Sequence, residues 1–325
     1  MTVSPHAEET LREPIRRTSD IEEITNLCFI HPISSWLTPL LADLRISPNA
    51  VSFAGMTFGI LAGVSYYHYR DVRWAAVGFV LMILWHIMDG TDGQLARLTN
   101  SQSEFGKVID GICDYTTFVA VYSALAFALS AQFGGWIWIL AVSAGICHAV
   151  QSAAYEVQRQ EYEYWGMDRK SAALLTLNAP LPNVATASFV TRVLHMLNGL
   201  YVGVQLMVVG IPAGFDEKMT TLLKTHPARA ASIRARYREI FAPAVRRWSI
   251  LSANYRTIGI FICAALSVPQ YYFLFEIFGF SAILAILLSR QSARYERFLH
   301  ELECAAWPTS SEAYASAEKG RSPAS

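Results

Sequence analysis

Two apolar runs, about 74–89 and about 106–130, enclose a block that carries four aspartates, MDGTDGQLARLTNSQSEFGKVIDGICDY. Runs of this kind belong in a bilayer, where the backbone must satisfy its own hydrogen bonds and is therefore helical. Carboxylates at the ends of two such helices are costly unless something compensates them. Asp89 and Asp92 are three apart and share one helix face; Asp110 and Asp114, four apart, share another. Gly106 lies one turn before Asp110, where a missing side chain lets a ligand or a second helix approach. A short polar loop over roughly 98–105 allows the two helices to pack antiparallel and bring the acidic pairs together. Like charges at that distance resist joint ionisation. A divalent cation is the natural compensation. Oxygen ligands with room for water suit Mg²⁺ or Mn²⁺, held jointly with a substrate phosphate.

The chain is 53% hydrophobic and 16% charged, which agrees with a membrane protein. Its formal net charge is zero, so no global basic field points to nucleic acid. Five scattered cysteines (Cys28, Cys113, Cys147, Cys263, Cys304) show no metal spacing and read as reduced packing residues. Residues 1–30 are polar, carry Arg12, Arg16 and Arg17, and read as a cytosolic segment rather than a leader.

The expected architecture is all-α and polytopic, with about six membrane helices and the site at the cytosolic face. His31 to Leu44 contains two prolines and is too brief to span easily, so it reads as an amphipathic helix along the interface. Ser47-Pro48-Asn49 is a helix-start signal. Spans follow over Asn49–Tyr67, Trp74–Asp89, Gly106–Ser130 and, after the turn at Gly134-Gly135, Trp136–Tyr155. Two more fit Thr257–Val268 and Tyr271–Ser289, the first of them short unless it begins near Leu251. Of the 26 Lys and Arg residues, only Arg70 and Arg73 then fall on the far side. That asymmetry predicts a cytoplasmic motif and cytoplasmic termini, in a bacterial inner membrane or an endoplasmic reticulum membrane, with the bacterial one preferred.

The membrane domain thus runs over 31–290, with a cytosolic or interfacial insert at 156–256 and a cytosolic tail at 291–325. Within the insert, Leu194–Ile211 is read as an interfacial helix rather than a span. Arg229–Arg247 carries six arginines, for which anionic headgroups and a plain solvated face are equally good readings.

The acidic block, D-x2-D-G-x2-A-R-x8-G-x3-D-x3-D, resembles the signature of the CDP-alcohol phosphotransferase family at all eight of its fixed positions. The resemblance covers roughly 45–160, and the last two spans only in layout. It implies an enzyme of phospholipid synthesis in which CMP is displaced from a CDP-linked donor by an alcohol hydroxyl. It also implies two Mg²⁺ or Mn²⁺ ions. By the family's pattern, Asp89 and Asp110 contact both, Asp92 completes one site and Asp114 contributes to the other. Asp114 also matches the residue taken as general base. Arg97 holds phosphate oxygens, Gly93 and Ala96 leave room for the cytidine, and Gly106 and Asn49 lie near the nucleotide. A homodimer is implied as well, with no nucleic acid beyond the CMP moiety. CDP-diacylglycerol with a small soluble alcohol is the leading substrate pair. Transfer from CDP-choline or CDP-ethanolamine to a lipid hydroxyl is the alternative. A divalent-cation transporter and an inactive scaffold are readings of another class, against which Arg97 and the intact four aspartates argue.

Five further residues invite two readings each. His86, one turn before Asp89, either assists the metal site or packs. His148 and Gln151 line an acceptor cavity or pack within the fourth span. Glu276 is an intramembrane ionisable group, hence a functional candidate or one half of a helix pair. Arg256 grips an acceptor phosphate or, as the better expectation, snorkels to headgroups.

Overall fold

The computed structural model describes residues 18–169, 199, 203, 211–212 and 214–304. The expectations for the first residues, for nearly all of 194–211 and for the tail beyond 304 lie outside the described residues.

Among the described residues every regular element is helical. In chain order they are α1 (His31–Asp43, entered through a π turn at Asn26–Ile30), α2 (Pro48–Tyr67), α3 (Val72–Leu98), α4 (Glu104–Phe133) and α5 (Ile137–Glu161). A π turn at Tyr162–Gly166 extends α5. Then come α6 (Phe215–Thr225), α7 (Ala230–Trp248), α8 (Ala253–Ala265), α9 (Pro269–Leu274) and α10 (Ser281–Cys304), the last two joined by a π turn at Phe275–Phe280. Five helical stretches are long and apolar enough to cross a membrane: Pro48–Tyr67, Val72–Leu98, Phe105–Phe133, Ile137–Gly166 and Pro269–Leu302. The protein is therefore an all-α polytopic membrane protein. The sixth expected span, Thr257–Val268, falls on α8, a 13-residue helix shorter than the five. At 1.5 Å per residue it reaches about 20 Å, short of the roughly 30 Å of a bilayer core.

Local chemistry explains the boundaries. The Ser47 side chain accepts from the Ala50 amide and Pro48 occupies the first turn of α2. Asp71 caps α3 by accepting from Arg73 N, and Ser103 caps α4 by accepting from Gly106 N. Gly134, at φ 73°, ends α4 in a backbone region open to glycine. α3 continues past the end of the expected span, through the motif to Leu98, where the polar loop was expected to begin.

α3 and α4 do not pair chiefly with each other. Both lie along α2, which accepts them on a face of small residues. A Cβ on Gly55 would lie 3.0 Å from Met88 Cβ on α3. One on Gly59 would lie 2.2 Å from Thr117 Oγ1 on α4, and one on Gly63 2.9 Å from the Ala120 carbonyl oxygen. Glycines every fourth residue bring backbones together, which is how apolar helices associate without a hydrophobic driving force. α1 braces α3 from outside: Ser34 donates to the Ile87 carbonyl at 3.0 Å and Ser35 to Gln94 at 3.0 Å. Its opposite face exposes Trp36, Leu40 and Leu44.

A second core lies beyond the apolar bundle. Tyr162, Trp165, Phe215, Met219, Tyr237 and Phe298 bury one another where α6 and α7 meet the ends of α5 and α10. The arginines of α7 are mostly engaged within the protein. Arg234 donates to the Trp165 carbonyl at 2.7 Å and to Asp168 at 2.6 Å. Arg236 pairs with Glu301 at 3.0 Å, and Arg238 donates to the Gly166 carbonyl at 2.7 Å.

Candidate active site and metal centre

The gap between α3 and α4, floored by α2, holds the acidic block. Asp89, Asp92 and Asp110 each offer a carboxylate oxygen, and these three atoms lie within 4.8 Å of one another. Asp92 is buried, while Asp89 and Asp110 are half-buried. Hard cations with metal–oxygen distances of about 2.1 Å bind such oxygen sets after small side-chain shifts. No His or Cys belongs to the trio, so the donor set fits Mg²⁺ or Mn²⁺ better than a softer metal.

Asp114 sits one turn further along α4, outside the trio. It remains within reach of the charges of Asp89, Asp110 and Asp92, and the Trp85 side chain hydrogen-bonds to it. Arg97 arcs back over Gly93: a Cβ there would stand 3.5 Å from the Arg97 Nη1. Ala96 is half-buried on the same stretch. A Cβ on Gly106 would lie 3.6 Å from Asn49 Oδ1, so the first turns of α2 and α4 meet at these two residues. All nine residues singled out in the sequence therefore lie on α2, α3 and α4 along one end of the bundle.

The sequence did not reveal Ser52. It lies one turn beyond Pro48 on α2 and donates to Asp92 Oδ2, orienting a buried carboxylate. Its position one turn after the Pro-Asn pair was the available signal, but nothing local assigns it to an aspartate 40 residues away.

Four of the remaining candidates belong to a packed polar network. Arg256 and Glu276 are both fully buried, and their ion pair closes at 3.0 Å. Arg256 also donates to Gln151 Oε1 at 2.8 Å and to the Leu251 carbonyl. Tyr272 donates to Glu276 at 2.6 Å and meets Tyr122 at 3.0 Å, which in turn meets His148 at 3.1 Å. Arg256 thus does not snorkel, a correction that follows from its full burial against Glu276. A guanidinium with a buried carboxylate has no reason to reach for headgroups. His86 takes the packing role: its Nε2 lies 2.9 Å from Thr257 Oγ1.

The described residues thus define a helical membrane protein whose bundle carries, at one end, a carboxylate cluster able to hold a divalent cation. Its particular family follows from comparison with known proteins. The family model for CDP-alcohol phosphatidyltransferase matches residues 45–221, and the chain belongs to that family. The match extends past residue 160 into the stretch expected as an insert. Among curated proteins, the chain is 30% identical over 132 residues to the phosphatidylinositol phosphate synthase of Corynebacterium glutamicum, covering 40% of this chain and 58% of that one. It is 29% identical over 107 residues to choline/ethanolaminephosphotransferase 1 of Arabidopsis thaliana, covering 30% of this chain and 27% of the relative. It is 26% identical over 140 residues to the CDP-diacylglycerol–serine O-phosphatidyltransferase of Helicobacter pylori, covering 41% and 56%. The matched segments span between about a quarter and three-fifths of these relatives.

Proposed function

We propose that this protein is a membrane phosphotransferase that makes a phosphodiester by displacing CMP from a CDP-linked donor. The observation that carries the reading is the trio Asp89, Asp92 and Asp110, with oxygens within 4.8 Å, set beside Arg97 in a chain of this family. Asp89, Asp92 and Asp110 would hold divalent cation, Mg²⁺ or Mn²⁺, with Asp114 contributing where a second ion binds. When bound, the cations neutralise charge on the diphosphate and on the departing CMP.

The chain's own residues do the rest. Arg97 grips phosphate oxygens by paired hydrogen bonds. Gly93, Ala96, Gly106 and Asn49 shape the space for the nucleotide. Asp114 accepts the proton of the acceptor hydroxyl as its oxygen bonds to the phosphorus next to the donor alcohol. The bond from that phosphorus to the CMP oxygen breaks, and CMP leaves with the electron pair. Ser52 keeps Asp92 aimed at the site.

CDP-diacylglycerol with a small water-soluble alcohol is the leading pair, supported by the names of the Corynebacterium and Helicobacter relatives. The name of the Arabidopsis relative favours a second reading, transfer of a phosphoalcohol to a lipid hydroxyl. In the first reading the protein acts as a homodimer in a bacterial inner membrane, with its site and termini toward the cytoplasm.

Purified protein incubated with CDP-diacylglycerol, CDP-choline and CDP-ethanolamine, with acceptors varied one at a time, separates the readings through CMP release. Release is expected with Mg²⁺ or Mn²⁺ and none after thorough EDTA treatment. Undiminished turnover after chelation would refute the metal-assisted mechanism.

A further inference from the structure

The acidic site leaves one strongly charged feature unexplained. α10 is apolar up to Ser289 and then presents Arg290, Arg294 and Arg297, spaced four and three apart on one face. α7 packs against α10 and brings Arg247 to the same place, so the charges of Arg247, Arg290 and Arg297 all bear on that of Arg294. Arg294 is half-buried, and the other three are exposed. Among the described residues none of the four forms an ion pair. Arg294 donates to Gln291 Oε1 at 2.6 Å and Arg297 to the Ala293 carbonyl at 3.2 Å, both on their own helix. Arg247 also borders an open cavity of about 320 Å³, with Asp20, Ala242, Pro243 and Arg246 as its other walls. Among the described residues Asp20 is the one carboxylate on that cavity; its side chain accepts from Tyr162 and its carbonyl from Arg246, and it forms no ion pair with Arg247.

Four guanidinium groups brought together with a single nearby carboxylate repel, and an anion placed among them relieves that repulsion. Position identifies the anion. The arginines begin where the apolar stretch of a membrane-crossing helix ends, at the depth of lipid headgroups. Guanidinium forks match the oxygens of a phosphate, and stems beside an apolar helix accommodate the start of an acyl chain.

We propose that Arg247, Arg290, Arg294 and Arg297 form a binding site for the phosphate of an anionic phospholipid, separate from the aspartate site. The lipid acts there as a structural ligand that ties α7 to α10. Most α7 arginines are engaged within the protein, so the site uses only the C-terminal end of that helix.

The test uses the full chain in a neutral detergent containing EDTA, so that metal-held diphosphate chemistry does not contribute. Thermal unfolding is followed while short-chain phosphatidylglycerol, short-chain phosphatidylcholine or inorganic phosphate is added. Phosphatidylglycerol is expected to raise the unfolding temperature saturably, and increasingly so as salt is lowered; phosphatidylcholine is not. Arg247→Gln with Arg294→Gln should weaken the apparent affinity by about thirtyfold. Arg247→Lys with Arg294→Lys should keep most of it, and this pair preserves the test if the glutamine variant fails to fold. Equal stabilisation of the wild type and the glutamine variant would overturn the proposal. So would full stabilisation by inorganic phosphate alone, which assigns the site to a free anion.

Discussion

At the scale of single residues, the site separates its carboxylates by position. Asp89, Asp92 and Asp110 converge, whereas Asp114 stands one turn away with Trp85 beside it. Asp89→Asn and Asp110→Asn are expected to abolish both turnover and tight donor binding. Asp114→Asn should lower turnover by about 10²–10⁴, the usual range for a general acid–base group, with a smaller effect on donor binding. Equal loss of donor binding in all three, measured by isothermal titration, would leave Asp114 a ligand only. Ser52 is the residue whose role emerges from the fold alone. Removing its hydroxyl in Ser52→Ala frees Asp92 to rotate and should raise the Mg²⁺ concentration needed for half-maximal activity by about 10–100-fold. Saturating Mg²⁺ should recover most of the rate, which distinguishes loss of aim from loss of folding.

At the scale of elements, α2 is the template on which the two acidic helices are mounted. Gly59→Leu places side-chain atoms where Thr117 already stands and should lower the unfolding temperature by the equivalent of about 1–3 kcal/mol or more. Gly111→Ala, with nothing within 4 Å of the added carbon, is the matched control. The segment before α1 carries a second testable contact. Glu23 is buried and accepts from Asn254 Nδ2 on α8 at 2.8 Å. Burial pushes its carboxyl from 4.5 up to about 7, against the opposing donation from Asn254. The folded state thus holds the proton more tightly than the unfolded chain. The stabilisation is complete below about pH 4.5 and is lost as pH rises through 7, by at most about 3 kcal/mol. Thermal unfolding across that window should slope downward in the wild type and flatten in Glu23→Gln.

Much of this was legible in the sequence because it is local. Ser47, Asp89 to Asp114 and Gly134 announce their roles through spacing on one helix or turn. The packing face of Gly55, Gly59 and Gly63 emerged only with the fold, because spacing alone does not say which helices it accepts. Ser52 with Asp92, and Arg256 with Glu276, are long-range pairs, and no periodicity links their members. The shortness of α8 was legible in its composition, whereas the turns that set its ends were not.

At the scale of the whole molecule, an apolar bundle carries the acidic site at one end and a separate aromatic core forms beyond the ends of α5 and α10. The charge asymmetry predicts that this second core and the loop between α2 and α3 lie on opposite sides of the membrane. In a cysteine-free background, Ala235→Cys and Val72→Cys, both at exposed positions, should react with an impermeant maleimide from opposite faces. Labelling of both from the same face would require a different number of crossings and would leave the carboxylate chemistry untouched.

The buried pair of Arg256 and Glu276 also bears on how the chain is made. The arginine is synthesised first, and its partner follows 20 residues later. A copy that ends between them holds an uncompensated guanidinium in its apolar interior, a defect of about 3–5 kcal/mol. Chains that stop before Glu276 are therefore expected to turn over faster than the full chain, and only a finished molecule hides its own charge.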